Sequence, residues 1–479
     1  LELRESLGAA WNESQLFLRS GSSLQQEHLE RLDLHRASVV IIPGADFELG
    51  GSELNDTRVV KTLLNLESHF KKRKPGTNVP CVVAELFDPR KVSIARRSIS
   101  TSSEIIAGDR LISRLLSQSL RHSGVGPALL SLLTHREDTG LYLRGFPQFA
   151  GHSPRALINS FPKAVILGVV SMDGSEPIVQ LNPDSEVILT EADRLIFLAP
   201  RYADCQPSAV PPMENPGAAE LTLPPHPEPK QRRFLILGWS YKIPTLIAEL
   251  LETSIGSFEI TILSKIAKND RQQALGHLEF TSRLTVRHVV GDYSLEQDLG
   301  KLNPHEFDHV LFLASGWLSN SEEADARTVM GLLLLRSLLE GHDNTPEVLT
   351  EVLDPDSAGV LGQTADVVFI SPQLLSHLLA HVGLLPELNA VFDNLICSGG
   401  SEITLRMPAD LGLDSNAITF AEVQAAAASR GCIGLGFYTA PYQASPRKLA
   451  LNPDREQKRS LRVDDRIILL CSEGDGAGR

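Results

Sequence analysis

The amino-acid sequence predicts two tandem α/β units, each a Rossmann-like lobe with a doubly wound parallel sheet followed by a smaller α+β lobe. Two observations lead to this prediction. Strand-like apolar runs alternate with helix-like stretches, which is the pattern of a parallel sheet covered by helices. The same series of segments then occurs twice in the 479 residues, at an offset of about 270, which indicates duplication.

The large lobes carry the first set of matching segments. Each copy has a continuous apolar run, then a leucine-rich helix opened by an aspartate, then an apolar strand that ends in Glu-x-x-Asp-Pro. Continuous apolar runs of this length are typical of central parallel strands. The matching pairs are Ala37–Ile42 with Asp308–Leu313, Asp56–Arg58 with Asp325–Arg327, and Val82–Pro89 with Val348–Pro355.

The small lobes carry the second set, again in the same order and at similar spacing. A strand, a Leu-Asn-Pro-Asp segment and a second apolar strand occur in each copy. The matching pairs are Val165–Val170 with Ile433–Phe437, Leu181–Asp184 with Leu451–Asp454, and Ala192–Leu198 with Asp464–Leu470.

The repeat also sets the predicted domain boundaries. We assign residues 1–125 to the first large lobe, 126–205 to the first small lobe, 231–395 to the second large lobe and 396–479 to the second small lobe. Residues 206–230 are rich in proline and predict an extended linker. The second copy starts with the strand at Arg233–Leu237, and the first copy has no match to its opening strand, helix and strand. We expect these elements to lie upstream of Leu1.

Composition narrows the classes of function. A net charge of −14 disfavours nucleic acid, since proteins that bind a phosphate backbone display basic surfaces. No apolar run is long enough to span a bilayer. The five cysteines lie far apart without zinc-type spacing, which predicts reduced, buried thiols: Cys81, Cys205, Cys397, Cys432 and Cys471.

The turn after the first strand of the second copy is the place where a Rossmann lobe would hold a dinucleotide. Here it reads Gly238-Trp239-Ser240, followed by Tyr241-Lys242-Ile243, so the second and third glycines of GxGxxG are absent. Larger residues at those positions block the close approach of a pyrophosphate. Nucleotide binding in the usual pose is therefore not expected, and these three residues are the candidates for any cofactor contact.

Carboxylates stand at or just after several predicted strand ends, where a Rossmann-like lobe presents its ligands. Hard cations such as Ca²⁺ prefer several such oxygens. An alternative is that the Asp-Pro pairs start turns or cap the next helix. The candidate metal ligands are Asp292, Glu351, Asp354, Asp356, Glu85 and Asp88.

Catalytic signatures are absent from the sequence. It has no nucleophile elbow, HExxH, P-loop or EF-hand motif, so the common hydrolases, zinc proteases and NTPases are disfavoured. We therefore predict a protein that is not an enzyme.

The duplicated large and small lobes, with Gly-Asp after the third strand and the Glu-x-x-Asp-Pro strand, resemble tandem RCK domains (regulators of K⁺ conductance). Gly238-Trp239, Gly399–Ile403 and Leu451-Asn452-Pro453 resemble the CASTOR/POLLUX-type ion channels more narrowly. That resemblance implies a homotetrameric cation channel whose RCK domains form a cytosolic gating ring, with pore helices upstream. It also implies ligand sensing, with Ca²⁺ as the ligand and Glu351, Asp354 and Asp292 as matching candidates.

A different class of function stays open beside this hypothesis. The chain could be a nucleotide-sensing regulatory subunit of a K⁺ transporter, or a degenerate NAD-linked oxidoreductase. The broken glycine fingerprint and the missing catalytic motifs favour the gating ring. For assembly, the apolar stretch Leu374–Leu395 is the predicted interdomain surface.

Overall fold

The computed structural model describes residues 12, 14–44, 51–72, 78–134, 139–174, 176–213, 221–224, 231–252, 256–315, 321–361, 365–397, 400–440 and 448–472. Much of the predicted proline-rich linker lies outside these residues, as does Gly399 of the resemblance motif. The chain divides into two compact units, Leu1–Ile106 and Ala107–Arg479.

The first unit is built on a three-stranded sheet. Its elements are α1 (Gln26–Glu30), β1 (Val39–Ile42), α2 (Gly51–Lys71), β2 (Cys81–Leu86), α3 (Val92–Arg97) and β3 (Ser103–Ala107). The strands follow the order β1-β2-β3, and β1 runs parallel to β2. Helix α2 packs against β2 in one hydrophobic core, and the burial of apolar surface stabilises this core. It contains Leu63, Leu66 and Phe70 of α2 and Val82 and Leu86 of β2.

The second unit begins with two helices, which lead into the antiparallel sheet of the first small lobe. The elements are α4 (Gly108–Arg121), α5 (Val125–Thr134), β4 (Gly140–Gly145), β5 (Val165–Asp173), β6 (Glu176–Leu181) and β7 (Arg194–Ala199). The sheet has the order β4-β7-β5-β6. Phe146, Phe161 and Phe197 pack together in its core.

The large lobe of the second copy follows, and its six strands are all parallel. Its strands are β8 (Arg232–Leu237), β9 (Phe258–Ser264), β10 (Leu284–Val290), β11 (His309–Phe312), β12 (Glu347–Val352) and β13 (Val367–Ile370). Its helices are α6 (Lys242–Glu252), α7 (Lys268–Leu275), α8 (Glu296–Gly300), α9 (Ser321–Leu339) and α10 (Pro355–Leu361). The order β10-β9-β8-β11-β12-β13 is that of a doubly wound nucleotide-binding sheet.

Two further helices lead into the last lobe, which is again small and antiparallel. The elements are α11 (Ser371–Leu384), α12 (Leu388–Ile396), β14 (Ser401–Arg406), α13 (Phe420–Ala428), β15 (Ile433–Thr439), β16 (Lys448–Leu451) and β17 (Arg466–Ser472). The sheet has the order β14-β17-β15-β16, which repeats the order of the first small lobe strand for strand. The predicted α/β class, with Rossmann-like parallel sheets and small lobes, is confirmed.

The duplication extends to individual hydrogen bonds. Asp56 in α2 accepts from the backbone N–H groups of Phe87 and Asp88, at 2.8 and 3.2 Å. Its counterpart Asp325 in α9 accepts from Leu353 at 3.0 Å and from Asp354 at 2.8 Å. Both carboxylates are 1% exposed. The helices begin before these aspartates, at Gly51 and Ser321, so each aspartate lies in the second turn of its helix. From there it satisfies the backbone donors just past the neighbouring strand.

The small lobes share a β-bulge that depends on glycine. The pairing of β5 with β7 shifts at Gly168, and that of β15 with β17 shifts at Gly436. A Cβ at these positions would lie 2.1 Å from the carbonyl oxygen of Gln180 and 2.0 Å from that of Ala450. No side chain fits such a close approach of two backbones, so both copies keep glycine there.

The expectation of five reduced cysteines is wrong for two of them. Cys432 and Cys471 form a disulfide, while Cys81, Cys205 and Cys397 are not disulfide-bonded. The two partners are separated by 39 residues in sequence. They meet because Cys432 directly precedes β15 and Cys471 lies in β17, next to the pair Ile433 and Leu470.

Within the described ranges, no helix combines the length and the apolar character that a bilayer span requires.

Candidate functional site

The turn after β8 opens the edge of the parallel sheet at which a Rossmann-like lobe holds its ligand. Gly238 has φ +105°, and a Cβ there would lie 2.6 Å from the carbonyl oxygen of Leu313. Only glycine fits this conformation and this space. The Ser240 hydroxyl is buried and accepts from the backbone N–H of Lys242 at 3.3 Å. Ser240 therefore helps to start α6, and Trp239 lies with its ring centroid 6.4 Å from that of His288.

A buried ion pair occupies the centre of this edge. The Lys242 Nζ lies 2.8 Å from Glu351 Oε1 at the end of β12, and 3.9 Å from Asp109 Oδ1 in α4. Glu351 is fully buried, and the Lys242 side chain is 8% exposed. Burial opposes the charge of Lys242, but Glu351 and Asp109 outweigh it and raise the pKa of the amine. Lys242 therefore stays charged and neutralises Glu351.

Two hydroxyl groups complete the surroundings of this pair. Ser371, the first residue of α11, donates a short hydrogen bond to Glu351 Oε1. Ser113 in α4 donates to the carbonyl oxygen of Lys242 at 3.1 Å. The pair thus joins three parts of the second copy, namely α6, β12 and α11, to helix α4 of the first copy.

Asp292, just after β10, is engaged by two cations. Its carboxylate lies 2.7 Å from Lys265 Nζ and 2.6 Å from Arg327 Nη2, and it accepts from the Ser294 hydroxyl at 2.6 Å. Burial opposes ionisation of Asp292, but these hydrogen bonds and charges outweigh it and lower its pKa far below the usual range. The carboxylate is held as an anion by the protein itself.

Asp354 and Asp356 lie beyond β12 and are the more exposed candidates. Asp354 accepts the backbone N–H of Asp356 at 3.0 Å, which is the capping role of the alternative interpretation. Asp356 is in the first turn of α10, where a negative charge suits the helix dipole.

In the first unit, the equivalent carboxylates also have partners. Glu85 at the end of β2 accepts from the backbone N–H of Gly44 at 2.9 Å, and its burial raises its pKa. Asp88 accepts from the backbone N–H and the guanidinium of Arg90, both at 2.9 Å. Asp88 thus caps the short helical turn that starts at Pro89.

The six candidate metal ligands therefore occur in several separate hydrogen-bonded settings. Among the described residues, no group of three or more His, Cys, Asp or Glu side chains is arranged to hold a metal ion. The assignment of these residues to Ca²⁺ stays a prediction.

Sequence reasoning missed a polar interface between the two copies, which lies within the unit Ala107–Arg479. In four of its ion pairs an arginine of the first copy meets a carboxylate of the second copy. The pairs are Arg114 with Glu249 at 2.9 Å, Arg114 with Asp393 at 3.5 Å, Arg121 with Glu402 at 2.7 Å, and Arg194 with Glu387 at 3.0 Å. Apolar periodicity gives no signal for these pairs, because it describes one segment at a time.

Glu402 in β14 is a largely enclosed carboxylate of this interface, with 13% of its side chain exposed. Arg121 and His122 of the first copy contact its two oxygens, at 2.7 and 3.3 Å. Burial opposes ionisation of Glu402, but the hydrogen bonds and charges of His122 and Arg121 outweigh it and lower its pKa to about 2. Burial lowers the pKa of His122 itself, so Arg121 is the permanent cation that stabilises the ionised form of Glu402.

The repeated Leu-Asn-Pro-Asp segments join the two small lobes in a reciprocal way. Asn182 Nδ2 of the first lobe donates to the carbonyl oxygen of Gly431 in the second, at 2.6 Å. Asn452 Nδ2 of the second lobe donates to the carbonyl oxygen of Lys163 in the first, at 2.9 Å. We name these contacts the Asn182 clasp and the Asn452 clasp. Both asparagines have positive φ, 47° and 43°, a conformation that asparagine tolerates better than most residues.

One arginine adds an asymmetric contact beside the Asn452 clasp. The Arg455 guanidinium donates to the carbonyl oxygens of Phe161 at 2.8 Å, Ala164 at 3.0 Å and Ile158 at 3.3 Å. Five planar donors suit several carbonyl acceptors at once. The first small lobe is thus held by both the backbone and the side chains of the second.

The sequence is similar to those of known ion channels. Residues 109–214 match the family described as Castor and Pollux, part of voltage-gated ion channel. The chain is 24% identical to the probable ion channel POLLUX of Arabidopsis thaliana and 23% identical to the ion channel CASTOR of Lotus japonicus, over 95% of its length in each case. These alignments cover 57% and 55% of the two channels, so the chain spans little more than half their length.

Among solved structures, the human SLO3 gating ring has the same fold. The TM-score is 0.70 at 14% identity, and the match covers 95% of this chain and 91% of that one. The resemblance to CASTOR/POLLUX-type channels and to the RCK fold, which the sequence motifs indicated, is therefore confirmed.

The buried pair at the sheet edge makes a first prediction. Lys242→Met leaves the Glu351 carboxylate buried without its cation, and we expect this to destabilise the protein by about 3–5 kcal/mol. The double variant Lys242→Met with Glu351→Met removes both charges and should recover most of that loss. Urea unfolding followed by tryptophan fluorescence measures the difference.

The control for this prediction is Lys265→Met at Asp292. Lys265 is 45% exposed and Arg327 remains beside the carboxylate, so the expected cost is below about 1 kcal/mol. Equal losses for Lys242→Met and the double variant would contradict the assignment of a charge-neutralising pair.

The Glu402 contact predicts a dependence of stability on pH. The pKa of Glu402 is lowered from 4.5 to about 2 in the folded state. The ionised carboxylate therefore contributes fully to the free energy of unfolding above pH 4.5, and this contribution is lost as the pH falls toward 2. Glu402→Gln should therefore unfold less steeply with acid over this window than the unsubstituted chain. Thermal unfolding measured from pH 6 to pH 2 tests this, with the exposed Glu176→Gln as control; identical slopes for all three proteins would be the contrary result.

Proposed function

We propose that the chain is the cytosolic gating-ring region of a cation channel, which senses a ligand and couples its binding to a pore. The observation that carries the proposal is the packing of helix α4 of the first copy on α6 of the second, through the pair of Lys242 with Glu351 and its neighbour Asp109. A structural change at the sheet edge of the second copy would therefore act on α4 through direct contact. The likeness to CASTOR and POLLUX channels supports this role.

Coupling of this kind requires that the ligand bind one arrangement of the copies more tightly than another. One part of the interface suits such a change, because beside its buried ion pairs it has a pair at partly exposed positions, Arg194 with Glu387. Pairs of this type can exchange partners at a smaller cost than an apolar core can be repacked. The proposed role is therefore binding and transmission, without catalysis.

Assembly into a homotetrameric ring is the second part of the proposal. Leu64 in α2 and Leu333 in α9 each lie eight residues after the equivalent aspartates Asp56 and Asp325. They are 52% and 58% exposed, and Met330 in α9 is 55% exposed. A leucine exposed at the same position of both copies indicates a surface that a second copy of the chain covers.

The nucleotide-sensing alternative has weaker support. The Lys242 ammonium and the Gly238 turn are used within the protein, and Ser240 is buried. A conventional dinucleotide needs open space and free backbone donors at this turn.

A prediction for assembly follows from the exposed leucines. Leu333→Asp, alone or with Leu64→Asp, should convert the oligomer to a monomer, because a charge at the centre of an apolar contact is costly to bury. Multi-angle light scattering after size exclusion measures the mass. Val463→Asp is the control, since Val463 is 85% exposed but outside these helices; a monomer before any substitution would contradict the assembly.

The ligand is tested by calorimetric titration of the purified chain with Ca²⁺ and, separately, with NAD⁺ and ATP. If Ca²⁺ is the ligand, it binds saturably, and Asp354→Ala lowers its affinity by about tenfold or more, since each carboxylate contributes strongly to Ca²⁺ coordination. Glu176→Ala, which removes an exposed carboxylate elsewhere, should leave binding unchanged. Binding of a nucleotide in place of Ca²⁺ would favour the alternative, and binding of none of the three would count against ligand sensing at this edge.

A further inference from the structure

The disulfide and the Asn182 clasp lie side by side in the structure. Asn182 Nδ2 donates to the carbonyl oxygen of Gly431 at 2.6 Å and to the Ser472 hydroxyl at 3.3 Å. Gly431 directly precedes Cys432, and Ser472 directly follows Cys471. The two groups that Asn182 contacts are therefore attached to the two ends of the disulfide.

The backbone at Gly431 is held by contacts within its turn and by one further contact from the first lobe. Its N–H donates to the carbonyl oxygen of Ala428 at 3.2 Å, and its carbonyl oxygen also accepts from Arg155 Nη2 at 3.4 Å. It lies in the turn between α13 and β15, with φ +74°, and the N–H of Cys432 donates to the carbonyl oxygen of Ala427. The pairing of β15 with β17 begins only at Ile433 with Leu470. By contrast, Ser472 and Cys471 are paired with Ser401 and Glu402 of β14. The disulfide therefore ties an acceptor that lies in a turn to an acceptor that lies in a paired strand.

The equivalent positions of the first small lobe do not carry a disulfide. Ala164 directly precedes β5, as Cys432 precedes β15, and Ala199 is the last residue of β7, one beyond Leu198, as Cys471 is one beyond Leu470. Both alanines are fully buried in the core of that lobe. The lobe thus folds with a pair of small apolar residues at these positions, and the cysteine pair is a feature of the second copy alone.

We propose that the Cys432–Cys471 disulfide is a redox-sensitive staple that sets how firmly the Asn182 clasp holds the two small lobes together. When oxidised, it fixes Gly431 relative to Ser472, so that one amide group can bind both. When reduced, it frees the turn at Gly431, and the clasp loses its fixed pair of acceptors. The inference concerns the contact between the small lobes, and it stands whether or not the chain gates a pore.

The disulfide is reduced by thiol–disulfide exchange with a dithiol. A thiolate of the dithiol attacks one cysteine sulfur, the protein S–S bond breaks, and a mixed disulfide forms. The second thiolate of the dithiol then displaces that cysteine, so the dithiol closes to its own disulfide and gives up two electrons. Both cysteine thiolates take up protons. Since the cysteines are only 4% and 6% exposed, attack requires the turn to open, and the exchange is slow without such opening.

The test is hydrogen exchange measured by mass spectrometry on the whole chain, oxidised and reduced with dithiothreitol. Peptide mapping without reductant first establishes the Cys432–Cys471 link. The informative peptide contains Asn182 and lies in the first lobe, away from the disulfide. We expect its amides to exchange about tenfold faster after reduction, as local opening becomes easier.

Two variants distinguish a specific effect of the disulfide on the Asn182 clasp from a general loosening of the fold on reduction. Cys432→Ala with Cys471→Ala copies the alanine pair of the first lobe, so it should fold, and it should exchange as the reduced chain does whether or not dithiol is present. Asn182→Ala should exchange fast at this peptide in both redox states. The peptide around Lys163, which the Asn452 clasp holds, is the internal control and should not change on reduction.

Several results would overturn the proposal. One is a peptide map in which Cys432 and Cys471 remain free thiols after treatment with an oxidant. Another is an Asn182 peptide that exchanges at the same rate in the oxidised, reduced and double-alanine proteins. A third is an equal change at Lys163, which would indicate that reduction loosens both lobes without any specific link to the clasp.

Discussion

The ion pair of Lys242 and Glu351 is the contact on which the sheet edge of the second copy depends. A fully buried carboxylate at the end of a parallel strand is costly unless a cation is held beside it. Lys242 supplies that cation from the first turn of α6, and α4 of the first copy adds Asp109 and the Ser113 hydroxyl. The electrostatic balance of the second lobe is thus completed by a helix of the first copy, which makes the two copies one structural system within the unit Ala107–Arg479.

The duplication preserved the architecture and changed the chemistry. The equivalent aspartates Asp56 and Asp325 make the same backbone contacts, and Gly168 and Gly436 make the same bulge. At the interface, however, most ion pairs join an arginine of the first copy to a carboxylate of the second, and Asp109 with Lys242 has the opposite arrangement. Two identical surfaces would place like charges opposite each other, whereas unlike surfaces attract and define one register. The divergence of the copies therefore serves their association.

Much of the candidate site could be placed from the sequence, but its partners could not. Glu351, Asp354 and Asp292 were expected at strand ends, and they lie there because apolar runs mark buried strands. What each carboxylate binds depends on residues far away in the chain: Lys242 for Glu351, and Lys265 with Arg327 for Asp292. Periodicity describes one segment at a time, so it could not distinguish a metal ligand from half of an internal ion pair.

The sequence by itself determined the repeat, the α/β class and the order of lobes, because these follow from local apolar patterns and from similarity between segments of one chain. The Asn-Pro segments were also visible as a repeated motif. Only the tertiary structure decided that Asn182 and Asn452 reach across to opposite lobes, that Cys432 meets Cys471, and that Arg121 faces Glu402. The physical reason is that hydrogen bonds, ion pairs and disulfides need atoms within a few ångströms, and folding alone brings such distant residues together.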